Sequence, residues 1–178
     1  MPFRSVDIAV VAVFSALWAA LNLTLGPLGF SLLRLPILCD LSVYFPTLLA
    51  TWLSSKIGVP TVVNLIGSLV VFVMRPGSTH LLGFIASAIV FDALMVLCRH
   101  NISFKPRCLS VTIAATAISA YLAGVLIGVI FMGRSVDWAL TFWGGWHLIG
   151  GIMGMVVALL IIGVLERAGL GRMRIAQR

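Results

Sequence analysis

The stretch WALTFWGGWHLIGGIMGMVVALLIIGVL, residues 138–165, contains no Asp, Glu, Lys or Arg. It is bounded by Asp137 on one side and by Glu166-Arg167 on the other. An apolar run of about 18 residues or more can cross the ~30 Å hydrocarbon core of a bilayer as a helix. Working outward, residues 8–33, 41–55, 57–74 and 108–133 are equally free of charge. Of the 178 residues, 61% are hydrophobic and only 10% charged, against about 25% charged in a soluble domain. That balance excludes a soluble enzyme, an extramembrane receptor domain and a built-in nucleotide-binding domain. The expected fold is an all-α integral membrane protein with six transmembrane helices, residues 1–178 forming a single six-helix membrane domain.

The first span is expected over residues 7–25, with Asp7 in the first turn, where a carboxylate suits the helix dipole. Gly26-Pro27-Leu28-Gly29 reads as the turn that ends it. A run this long, followed by further spans, reads as a retained helix rather than a signal peptide. The second span needs residues 35–55, because 41–55 alone is too short to cross, and Pro46 should kink it. The third is expected over 60–74, opened by Pro60. The remaining spans are expected over 80–98, 108–132 and 138–165, joined by Arg99–Arg107 and by Gly133–Asp137.

The net charge is +7. The basic residues sit between apolar spans and not in one patch, so they point to a membrane surface and not to nucleic acid. With the N-terminus inside, Arg4, Lys56, Arg99, Lys105, Arg107, Arg167, Arg172, Arg174 and Arg178 lie on the inner side. Arg34, Arg75 and Arg134 lie on the outer side. Nine against three places both termini in the cytoplasm and supports an even number of spans. The expected location is the plasma membrane. Cys39, Cys98 and Cys108 are odd in number and show no CxxC spacing, so they read as small apolar residues.

Small residues four apart share a helix face and let another backbone approach. Ala12, Ala16 and Ala20 form such a ladder in the first helix, Ala120, Gly124 and Gly128 in the fifth, and Gly150, Gly154 and Ala158 in the sixth. Each ladder serves either internal packing or an external partner. The nearly pure alanine ladder is the best candidate for an external face, on which a partner membrane subunit would dock.

The outer side also collects Arg34, Asp40, His80, Trp143, Trp146 and His147. Aromatic faces stack on rings, and Arg or His pairs with carboxylate or phosphate, so this set reads as a binding site for a small polar ring compound. Plainer readings stand beside it. Trp138 and Trp143 fit an interfacial aromatic belt. Arg34 and Asp40 fit a local pair. His147, four residues after Trp143 and on the same face, also fits a buried histidine satisfied by a neighbouring helix. Asp92 fits a structural bond to a hydroxyl or a helix end, and Asn22 and Asn64 fit interhelical hydrogen bonds. There is no Walker loop, HExxH, GxSxG or carboxylate pair at helical spacing, and the three histidines are dispersed. No catalytic residue, metal site or cofactor is expected.

Three segments carry a family resemblance: Ala12-Val13-Phe14-Ser15-Ala16-Leu17-Trp18-Ala19-Ala20, Lys56-Ile57-Gly58-Val59-Pro60, and Trp146-His147-Leu148-Ile149-Gly150-Gly151 with Glu166-Arg167 beyond it. With the short chain and six spans, they make the protein resemble the S component of an energy-coupling factor (ECF) transporter. The resemblance implies a non-catalytic subunit that binds a vitamin or vitamin precursor at its outer face. It implies docking through Ala12, Ala16 and Ala20 on a transmembrane T component coupled to two ATPases. It places the pocket around Arg34, Ser78–His80 and Arg134–His147. Nickel and cobalt members use an N-terminal histidine. This chain begins Met1-Pro2-Phe3-Arg4, which argues against a metal substrate. The alternative is a stand-alone small secondary transporter or channel, with Asp92 or His147 as a proton relay.

Overall fold

A computed structural model describes residues 3–169. Arg172, Arg174 and Arg178, counted above on the inner side, lie outside the described residues. Six long helices are present: α1 (Ser5–Leu33), α2 (Ile37–Ser54), α3 (Val59–Met74), α4 (Leu81–Cys98), α5 (Pro106–Phe131) and α6 (Val136–Arg167). No strand occurs among the described residues. Five of the helices are long and apolar enough to cross a membrane, and α3, with 16 residues, is shorter.

The largest departure from expectation lies in α1. It runs straight through Gly26-Pro27-Leu28-Gly29 and ends only at Leu33. The glycines there serve packing. A methyl group on Gly29 would come within 2.9 Å of the Leu38 Cβ, and one on Gly26 would meet Asn22 and Cys39. Pro27 removes a single backbone donor, and helices in lipid tolerate that when neighbours re-satisfy the freed carbonyl. Arg34, with φ of 57°, then closes the helix by donating its N–H to the Phe30 carbonyl. Pro46 likewise lies inside α2 without ending it.

α2 is the central element. It packs against α1, α3 and α6, while α4 and α5 complete the bundle. Tyr44 reaches from α2 to the hydroxyls of Ser119 (3.0 Å) and Ser87 (3.5 Å) on α5 and α4. Trp18 donates to Asn64 (3.0 Å), which in turn donates to Thr47 (2.8 Å), so one amide links α1, α2 and α3. Asn22 bridges to Ser42 at 3.3 Å. Buried polar side chains in a bundle need such partners, because nothing else offers hydrogen bonds.

The ladders divide by location. On α6, a methyl on Gly150 would come within 2.6 Å of the Ile37 carbonyl oxygen, and one on Gly154 within 3.0 Å of the Leu41 carbonyl oxygen. On α5, Gly124 and Gly128 face Gly144, His147, Ala139 and Trp143 of α6. These two ladders are internal. Ala12, Ala16 and Ala20 are exposed.

Ion pairs tie the loop end that carries Lys56 and Arg99. Asp7 is buried and holds Lys56 Nζ at 2.6 Å, the Ser54 hydroxyl at 2.9 Å and the Arg4 N–H at 2.8 Å. Asp92 accepts from the Thr61 hydroxyl (2.7 Å) and the Gly58 N–H (2.9 Å), and lies 2.6 Å from His100 Nε2. Arg99 and His100 both adopt left-handed backbone, with φ of 52° and 55°. That strained turn brings the buried His100 ring back onto Asp92. Asp92 is therefore bound to a hydroxyl and to the start of α3.

Candidate functional site

At the opposite end of the bundle the helices part around a cavity of about 270 Å³. α1 contributes Phe30, the link before α2 contributes Pro36, α2 contributes Cys39, and the loop before α4 contributes Gly77, Thr79 and His80. Phe84 of α4 closes the inner wall, with Ile127, Phe131 and Met132 from the end of α5 and Trp143 and His147 from α6.

Both α5 and α6 widen by a π-turn next to this cavity, at Ile127–Phe131 and Ala139–Trp143. Such turns rotate the following side chains relative to a regular helix and recur at functional sites. The glycine ladder of α5 makes the space that the α6 rings fill. A methyl on Gly124 would come within 2.8 Å of the His147 ring, and one on Gly128 within 3.3 Å of the Trp143 ring. The four-residue spacing of Trp143 and His147 thus fits the four-residue spacing of Gly124 and Gly128.

The rings form a continuous aromatic path. Trp138 stacks on Trp143 with centroids 5.2 Å apart and planes 20° apart. Trp143 meets His147 edge-on at 5.5 Å, and His147 lies 5.8 Å from Phe84. Phe30 lies 6.1 Å from Trp143 across the cavity. Arg134 sits 5.7 Å over the outer face of Trp138, at cation–π distance. Trp143 is 5% exposed, too buried for a lipid-interface belt.

Behind His147 lies Asp40, 0% exposed, with Oδ2 2.7 Å from His147 Nδ1. The other ring nitrogen, His147 Nε2, is buried without a hydrogen-bond partner. Trp143 Nε1 is also buried without a partner. At the rim, partial burial pushes the His80 imidazole below its ordinary 6.5, helped by the charges of Arg75 and His147. At neutral pH His80 is therefore uncharged.

Of the six residues expected at the site, His80, Trp143 and His147 line the cavity. Asp40 supports it from behind, paired with His147 and not with Arg34. Arg34 is exposed at the end of α1 and does not line the cavity, because the helix carries it two turns past the expected turn. Trp146 is half-buried on another face of α6, edge-on to Phe142 at 6.2 Å, and also lies outside the lining. Sequence reasoning missed Phe30 because it ended α1 too early. It missed Phe84, Ile127 and Phe131 because apolar residues on apolar helices carry no distinguishing signal. Among the described residues, no group of three His, Cys, Asp or Glu is placed to hold a metal ion.

A second concave surface lies on the side of the bundle. Ala12, Ala16 and Ala20 form the floor of an apolar groove of about 580 Å³, walled by Ile66, Val70 and Met74 of α3. Trp18, on the opposite side of α1, points into the core.

The fold and its long apolar helices define the class: a multi-pass helical membrane protein. No family model, curated protein or solved structure matches the chain.

Proposed function

We propose that this chain is the substrate-binding membrane subunit of an ECF-type importer. It captures a vitamin or vitamin precursor in the cavity lined by His80, Trp143 and His147, and it performs no catalysis. It docks through Ala12, Ala16 and Ala20 on a T component coupled to two ATPases. In this reading all six helices span the plasma membrane, both termini are cytoplasmic, and the cavity faces outward. The observation that carries the reading is the contrast among the three ladders. Two are consumed by internal packing, whereas the alanine ladder floors an open groove. Small residues on an open face are what close helix docking in lipid requires.

The test is purification of the tagged protein from its native membrane, followed by mass spectrometry. Co-purification of a T component and ATPases, with a small ring compound, is expected. A protein that emerges alone and still supports uptake would overturn the docking assignment. That outcome would favour the stand-alone transporter, for which the buried Asp40–His147 pair would be the natural proton carrier.

Orientation has its own check. In a cysteine-free background, a cysteine at Ser135 should react with a membrane-impermeant reagent added outside. One at Lys105 should react only after the inner face is opened. Both positions are exposed, whereas the Ser103 hydroxyl on the same inner loop is buried. The reverse pattern would invert the topology.

A further inference from the structure

We infer that a pocket at the Lys56–Arg99 end of the bundle binds the phosphate group of an anionic phospholipid. The lipid comes from the leaflet on that side, the inner one in the proposed orientation, and Arg99 selects it over a zwitterionic lipid.

The pocket has a volume of about 300 Å³. Phe3 enters it from the chain before α1, Lys56 and Ile57 from the link between α2 and α3, and Val96, Arg99 and His100 from the end of α4. Two fixed positive charges thus reach one space from separate elements, and no Asp or Glu is among the lining residues.

The acids near this end are turned elsewhere. Asp7 is buried and holds both Lys56 and Arg4, which together outweigh it. Asp92 is buried too, and its oxygens meet the His100 ring, the Thr61 hydroxyl and the Gly58 N–H. Glu166 accepts from Trp52 and lines a separate depression. Arg99 is exposed, and among the described residues no carboxylate pairs with its guanidinium, a group of several N–H donors and no acceptor. Arg4, Lys56 and Arg99 against Asp7 and Asp92 leave this corner positive even with His100 neutral. Arg107, at the start of α5, acts electrostatically on Cys98, the neighbour of Arg99, and adds to the field.

The backbone fits the same reading. Arg99 and His100 are both left-handed, a strain that persists where the surroundings fix it and that clusters at ligand sites. It turns His100 inward onto Asp92 and leaves Arg99 exposed in the pocket wall.

The apolar share of the lining selects the source of the phosphate. Phe3, Ile57 and Val96 line the pocket and are themselves exposed, as is Leu97 beside them. A soluble phosphate would leave these side chains uncovered, whereas the glycerol and first acyl carbons of a lipid cover them. The level agrees. α3 begins at Val59 and α4 ends at Cys98, so the pocket sits where apolar helix gives way to polar link. Anionic lipids enrich the cytoplasmic leaflet, and basic pockets between helices on that side hold their head groups.

The test uses the full chain in detergent, titrated with single lipids and read by native mass spectrometry. Dioleoylphosphatidylglycerol should bind with a Kd at least tenfold lower than dioleoylphosphatidylcholine, whose phosphate is neutralised by choline. Arg99→Gln should raise the phosphatidylglycerol Kd about tenfold, the effect of losing one hydrogen bond to a charged group. Arg99→Lys, which keeps the charge, should retain most of the affinity. Lys105→Gln, at an exposed cation outside the lining, should change it less than twofold. All three variants should keep the helical circular dichroism spectrum, because both positions are exposed. Equal affinity for the two lipids would overturn the charge assignment. An equal loss in Arg99→Gln and Lys105→Gln would show diffuse attraction to a basic surface and overturn the pocket as the site. Glycerol 1-phosphate that displaces the lipid at equal concentration would overturn the lipid as occupant in favour of a soluble phosphate ester.

Discussion

Replacing Asp40 with alanine is expected to destabilise the protein by about 1–3 kcal/mol, the usual cost of leaving a buried polar group without its partner, because the carboxylate lies 2.7 Å from His147 Nδ1. His147 would be left in the bundle interior at 2% exposure without its carboxylate neighbour. The lost volume also matters, because Asp40 Cβ sits against Gly150 where α2 and α6 come closest. His147→Ala should cost a comparable amount and also open the cavity wall. The double replacement Asp40→Leu with His147→Phe should recover much of the loss, since a well-packed apolar pair often equals or exceeds a buried ion pair. Thermal unfolding in detergent checks all three. An unchanged melting temperature for Asp40→Ala would show that the pair contributes nothing to holding α2 against α6.

The second large effect belongs to Ala16→Trp. The side chain points away from the core and into the open groove, so folding should be little disturbed, within about 0.5 kcal/mol for a surface change. Association with a T component should fail. Helix docking on a small-residue face depends on backbone proximity, and an indole placed there overpacks the interface by about 1–3 kcal/mol or more. Each 1.4 kcal/mol is about tenfold in affinity, so co-purification should fall by roughly ten- to a hundredfold. Ligand binding in the cavity should persist, because Ala16 lies far along α1 from Phe30. Undiminished co-purification would remove the groove from the docking surface.

The helices were legible wherever the chain lacks charge over a long run. The observed bounds of α5 and α6 differ from the expected spans by only a few residues. α1 was misjudged because Gly-Pro-Leu-Gly serves turns and close packing alike, and only the position of Leu38 against Gly29 distinguishes the two. The site was half legible. Trp143 and His147 stand out by type and spacing. Their setting does not, because Gly124 and Gly128 mark it only once α5 and α6 are known to be neighbours. Asp40 was singled out for its charge, with a local pair to Arg34 as the plainer reading beside the binding site. Proximity in sequence favoured Arg34, whereas the continued helix carried Arg34 away and the packing of α2 on α6 brought His147 to it. Trp146 was included as one of the aromatic residues collected on the outer side, yet it adjoins His147 in sequence, and adjacent helical residues face different directions.

α3 has consequences beyond its role as a wall. Its 16 residues span about 24 Å, some 6 Å less than a typical hydrocarbon core of ~30 Å. When it crosses the bilayer, lipid beside it must thin, or its flanking side chains must stretch toward the headgroups, at a cost that accumulates per ångström of mismatch. The thinned annulus falls on one flank only, the flank where Ile66, Val70 and Met74 border the alanine groove. A membrane partner seated there displaces the deformed lipid, so relief of bilayer strain adds to the attraction between helices. Membrane thickness then becomes a control on assembly: thicker bilayers should favour the occupied groove, and thinner ones should let the subunit stand alone.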